Sequence, residues 1–351
     1  MNFLKTIVRV SLILIVAGGL GFLVFVARGN SIKEKFRIAF FDAAVKHRAE
    51  VVEEYYNSLG VKGILDVFEA KDEICHFEAH EVGKVVYERT QDLTESIMTC
   101  GNRCTAGCFH GTLIEAFKDT IPKSGSPSDH IELSDLKEKI QEVCSSAAVR
   151  SLHREGKCLH GVGHALTVLS HYNMDKALSY CHIINDKPRE HYCSEGAFME
   201  FIFLNGPAEA KSGSTHYPCD TFNDFPAACY RSKSQKLRET FRDVERVAEE
   251  CLKLSNFNRL GCFYGTGFTY SPDVIKNPKL LVNLCQHGNI NDKRMCIEGA
   301  MEKSESPGAM TASSEACNYL DRELQSFCIT AFNNKSYSLE KSFELYFDNS
   351  K

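Results

Sequence analysis

Cys251-Leu-Lys-Leu-Ser-Asn-Phe-Asn-Arg-Leu-Gly-Cys262 decides the fold class, because its two cysteines stand 11 positions apart and that interval returns along the chain. Cys181/Cys193, Cys219/Cys229, Cys285/Cys296 and Cys317/Cys328 repeat it at 12, 10, 11 and 11 positions, and Cys144/Cys158 and Cys100/Cys108 extend it at 14 and 8. A short connection between antiparallel helices brings the end of one beside the start of the next, where Cα atoms reach the ~4.4–6.8 Å that a disulfide requires. Each pair is therefore expected to clamp one helical corner. Seven sequential pairs leave Cys75 and Cys104, which are assigned to each other by elimination. In the chain-entropy view, loops of about ten residues stabilise by roughly 2–3 kcal/mol each.

The 16 cysteines lie between Cys75 and Cys328, and their even number fits complete pairing. In a reducing cytosol so many thiols call for metal clusters, but the chain contains no CxxC, the unit from which zinc ribbons and fingers are built. Cys104-Thr-Ala-Gly-Cys108-Phe-His110 differs from a haem-attachment CxxCH by its spacing. Disulfides outside the cytoplasm remain, and with no thiolate free and no GxSxG elbow, Cys or Ser nucleophilic catalysis is not expected.

Residues 10–27, VSLILIVAGGLGFLVFVA, run 18 positions without a charge behind Lys5 and Arg9. That is close to the length a helix needs to cross hydrocarbon. Phe25-Val26-Ala27 makes a poor signal-peptidase site, so an uncleaved anchor is preferred to a cleaved signal. Basic residues flank both ends, so the cysteines rather than the charge rule set the orientation. The expected order is a short cytoplasmic N-terminus over 1–9, a transmembrane signal-anchor over 10–27, and a basic stalk with the first helices over 28–70. Three divergent blocks then follow over 71–150, 151–250 and 251–351, the last including a C-terminal tail. The localisation expected is a single-pass membrane protein with a periplasmic or extracellular body.

The blocks share a pattern. Block one carries Cys75-His76-x3-His80, then Cys100 and Cys108-Phe-His110-Gly111-x3-Glu115. Block two carries Cys158-Leu-His160-Gly161-Val-Gly163-His164, then Cys181 and Cys193-Ser-Glu195-Gly196-x3-Glu200. Block three carries Cys262-Phe-Tyr264-Gly265-Thr-Gly267-Phe268, then Cys285 and Cys296-Ile-Glu298-Gly299-Ala-Met-Glu302. Block starts at Cys75, Cys158 and Cys262 give periods of 83 and 104, room for about four helices each. Helix-like spacing over 38–59, 81–98, 136–154, 163–180 and 237–254, with no clean strand alternation, predicts an all-α, solenoid or toroid-like body.

His76/His80 and His160/His164 are each four apart, so on a helix both imidazoles of a pair share one face, as two metal ligands do. We expect these four to bind a divalent transition metal (Zn, Cu, Fe or Ni), with Glu115 and Glu200 as ligands or orienting groups. Binding should weaken as pH falls through the histidine range near ~6.5. No Glu directly follows the first His of either pair, which excludes the zincin motif. The alternative is structural: histidines beside glycine that serve helix corners, in a non-enzymatic scaffold for a protein or envelope component. Glu195 and Glu298 read as helix-start acids favoured by the dipole. The formal net charge of -5 gives no basic field for nucleic acid, leaving the membrane and an unidentified protein as partners.

Overall fold

The computed structural model describes residues 31–71, 75–118, 133–152, 155–204, 213–302 and 313–333. The expected N-terminus and anchor over 1–27 lie outside the described residues, as does most of the C-terminal tail. Among the described residues every regular element is helical, and no helix is long and apolar enough to cross a membrane. All eight disulfides join the cysteines that the spacing pairs, including Cys75–Cys104, with Cα separations of 4.9–5.6 Å. No cysteine is left free.

The chain divides into two compact units, the first comprising 1–119 with 151–153 and the second the remainder. Sequence blocks two and three thus belong almost wholly to one unit.

In the first unit, α1 (31–42) is followed by α2 (Arg48–Lys71), α3 (His76–Thr90), α4 (Leu93–Cys100) and α5 (Gly107–Lys118). The segment expected as a basic stalk buries Phe36 and Phe40 completely, with their rings 5.6 and 4.6 Å from Phe68. Its cationic side joins the same body through Lys33 Nζ, 3.1 Å from Asp66. Gly60, at φ +62°, breaks α2 at a point where an L-residue would be strained. Helices α3 and α5 then meet backbone to backbone. A Cβ on Gly107 would lie 2.1 Å from His76 O, and one on Gly111 2.0 Å from His80 O, so only glycine permits the approach.

The second unit contains α6 (Leu133–Ser145), α7 (Ala147–Leu152, whose last two residues fall in the first unit), α8 (Glu155–Leu169), α9 (Met174–His182), α10 (Lys187–Leu204), α11 (Pro226–Phe241), α12 (Val244–Leu252), α13 (Asn256–Lys276), α14 (Leu280–Leu284), α15 (Ile290–Glu302), α16 (313–317) and α17 (Arg322–Asn333). The long helices α8, α10, α11, α13, α15 and α17 pack each on the next in chain order. The second cysteine of a clamp lies in each: Cys158, Cys193, Cys229, Cys262, Cys296 and Cys328, at intervals of 35, 36, 33, 34 and 32. These clamped helices thus follow one another at a shorter interval than the 83 and 104 positions separating the block starts.

Glycine contacts fix the register between the recurring helices. Carbonyls of His160, Tyr230 and Tyr264 lie where a Cβ on Gly196, Gly265 and Gly299 would be, as His80 does toward Gly111. His80, His160, Tyr230 and Tyr264 are thus equivalent positions. The two HxxxH pairs are offset by one helical turn: His76 stands one turn before the shared position, and His164 one turn after it.

Candidate metal centre

In the first unit, His76 and His80 lie on the first two turns of α3 and His110 on the first turn of α5. All three are buried. The close seats of Gly107 and Gly111 on the His76 and His80 carbonyls bring these turns together. One ring nitrogen from each of the three lies within 4.8 Å of the others. His110 Nδ1 is 3.3 Å from His76 Nε2. His76 Nδ1 lies 3.2 Å from the Thr105 carbonyl and 3.1 Å from its hydroxyl. A carbonyl can only accept, so His76 carries its proton on Nδ1 and keeps a lone pair on Nε2, which takes a hydrogen bond from His110. A carbonyl on the remote nitrogen is how proteins set the tautomer of a metal-ligating histidine.

Glu115, expected beside this pair, lies on α5 against Lys118. His110 takes the third place instead. Its position within Cys-x-His-Gly matches that of Glu195 and Glu298 within Cys-x-Glu-Gly, a correspondence visible in the sequence. A second gathering, Glu69 with Cys75 and Cys104, offers no thiolate because the two cysteines are joined. Glu69 pairs with Arg103 at 2.5 Å.

In the second unit, His160 and His164 lie on α8 with ring centroids 4.9 Å apart, both buried. His164 Nδ1 donates to Glu200 Oε2 at 2.8 Å, and Tyr172 Oη donates to Glu200 Oε1 at 3.2 Å. His160 Nδ1 stands 3.5 Å from Glu195 Oε2. Carboxylates accept, so the neutral tautomer favoured at either position carries its proton on Nδ1. Glu200 thus holds the His164 ring through Nδ1. Burial, partly opposed by the Glu195 hydrogen bond, pulls His160 down to about 4 and keeps it neutral near pH 7.

Glu195 is not a helix-start acid. It sits two turns inside α10, which begins at Lys187, and it is buried. Around it lie His191 Nε2 at 3.2 Å and Arg231 Nε at 3.5 Å. Although burial works in the opposite direction, the Arg231 charge and hydrogen bonds from His160 and His191 hold its carboxyl well below the usual range. Arg231 also donates to Glu302 at 2.8 and 3.1 Å and lies over the Phe268 ring at 4.1 Å. Tyr264 Oη donates to the same Glu302. The third block's Tyr264 and Phe268 therefore serve a largely buried ionic network, in which a cation between two carboxylates offsets their desolvation.

Comparison with known protein families, with characterised proteins and with solved structures finds no match. The functional reading rests on the side chains alone. Buried imidazoles could hold a borderline metal, and those of His76, His160 and His164 face a carbonyl or carboxylate through Nδ1, while every thiol is withdrawn into a disulfide.

Proposed function

We propose that this chain is a membrane-anchored, extracytoplasmic helical protein that binds a divalent transition metal (Zn, Cu, Fe or Ni) through buried histidines. The observation that carries the reading is the set of three imidazole nitrogens from His76, His80 and His110 within 4.8 Å of one another. His160 and His164 are ligands of the same class, oriented by Glu195 and Glu200. Imidazoles buried by the fold suit these metals, whereas Mg and Ca prefer oxygen.

Eight disulfides with no free cysteine support the extracytoplasmic placement, because such a state persists in oxidising surroundings. The anchor is the apolar run over 10–27. A second reading, a solenoid scaffold without metal, is favoured by one observation: clamped helices at intervals of 32–36 residues continue through α11, α13, α15 and α17, where Tyr230 and Tyr264 stand in place of the shared histidine.

Metal analysis of the full chain, purified oxidised in detergent, decides between them. At least one equivalent of Zn, Cu, Fe or Ni is expected near neutral pH, lost in His80→Ala/His110→Ala. No metal above background gives the scaffold reading its place. A reporter fused to the C-terminus should be active outside the cytoplasm; cytoplasmic activity overturns the topology.

A further inference from the structure

Cys104, Thr105 and Ala106 form three consecutive L-residues in the left-handed region, at φ +48°, +51° and +67°. Cβ sterics disfavour that region for each of them, and isolated left-handed residues rather than runs are the rule. Something outside the turn must hold it. On one side Cys104 is bonded to Cys75, itself at φ +27°, and on the other Cys100–Cys108 spans the turn.

The turn's product is the Thr105 carbonyl on His76 Nδ1, the contact that leaves Nε2 as the ligand atom. His76 is the next residue after Cys75, and Thr105 the next after Cys104. The covalent path from ring to carbonyl therefore runs through a single disulfide and two backbone steps. Without that bond the turn can relax toward negative φ, carrying the carbonyl away and releasing the imidazole to other tautomers and rotamers.

We propose that closure of the Cys75–Cys104 disulfide is what makes the His76 site able to take metal, so that metal loading follows oxidative folding. This rests on the metal-binding reading above. The closing reaction is thiol–disulfide exchange: the two thiols give up two protons and two electrons as their S–S bond forms, and a donor disulfide breaks and leaves as a dithiol. The site is thereby confined to compartments where the disulfide persists, since the reduced chain lacks the geometry that presents Nε2.

The test is a Co(II) titration of the full-length chain, followed by its visible ligand-field bands. Wild type and Cys317→Ser/Cys328→Ser, which opens a clamp in the second unit, are expected to bind alike. Cys75→Ser/Cys104→Ser is expected to bind about 10–100-fold more weakly, the usual cost of losing a group that orients a ligand. Adding Thr105→Gly/Ala106→Gly to that variant should recover about tenfold, because glycine takes positive φ without a steric cost. If the serine variant loses its helical circular dichroism, Thr105→Pro with both disulfides intact replaces it, since proline fixes φ near ~−65° and should cause the same loss. Unchanged Co(II) affinity in the folded serine variant, or in Thr105→Pro, overturns the inference while leaving the metal reading intact. Failure of the wild-type chain to bind Co(II) removes that reading, and this inference with it.

Discussion

His164 Nδ1 donates to Glu200 Oε2 across 2.8 Å in a setting where both side chains are almost wholly buried. The pair joins α8 to α10, and the second carboxylate oxygen takes the Tyr172 hydroxyl. Glu200 thus accepts a donor on each carboxylate oxygen and fixes the orientation of the His164 ring.

Replacing Glu200 should therefore act on metal affinity through the ring it holds. Glu200→Ala is expected to weaken metal binding at His164 by about 10–100-fold, and Glu200→Gln by less, because its amide oxygen can still accept from Nδ1. Isothermal titration with Zn(II) separates them. Equal affinity in both variants and wild type would remove Glu200 from the orienting role.

Glycines at the helix crossings should be far less tolerant than glycines in turns. A Cβ on Gly267 would sit 1.9 Å from Cys296 O, so Gly267→Ala must push α13 from α15 and is expected to cost at least about 2 kcal/mol. Gly101 has positive φ but nothing within 4 Å, so Gly101→Ala should cost only the conformational penalty of about 1 kcal/mol. Denaturant unfolding of the oxidised chain gives both values, and a reversed order contradicts the crossing geometry.

The disulfide framework was legible because corner closure is local: a helix end and the next helix start must meet, and cysteines 8 to 14 apart mark where. Even Cys75–Cys104 followed, once fourteen neighbours were paired. The register of the histidines was not legible, because proximity to cysteine suggests aligning His76 with His160, whereas glycine seats in the crossing align His80 with His160. His110 was hidden by its resemblance to a mis-spaced haem motif. Arg231 is not legible from sequence because its partners Glu195 and Glu302 are 36 and 71 positions away, and no periodicity reports a contact at that range.

Arg231 supplies a direct test of the ionic network. Arg231→Met removes the cation from beside the buried Glu195 and the partly buried Glu302, so a loss of roughly 3–5 kcal/mol is expected. Adding Glu195→Gln and Glu302→Gln should return most of that loss, because neutral amides no longer need a counter-charge. Chemical denaturation of the single and triple variants measures the difference. A triple variant no more stable than the single one would mean that Arg231 acts by packing on Phe268 rather than by charge.

Acid should unlock the first unit through Asp66. Burial alone would raise its carboxyl, but hydrogen bonds from Arg103, Lys33 and Lys62 outweigh it and bring the group from 3.8 down to about 2. The unfolded chain therefore takes up this proton at higher pH than the folded one. The stabilisation is complete above about pH 5 and drains away as pH falls through the interval toward 2. Because Asp66 keeps 29% of its side-chain exposure, solvent screening reduces the contribution to about 1 kcal/mol. Asp66→Asn should be less stable than wild type by about that amount at pH 6, and the two should converge near pH 2. Urea melts of both chains across this range provide the comparison. A gap that stays constant with pH would show that Asp66 is held for its shape and hydrogen bonds, with its charge contributing nothing to the tie between α2 and Arg103.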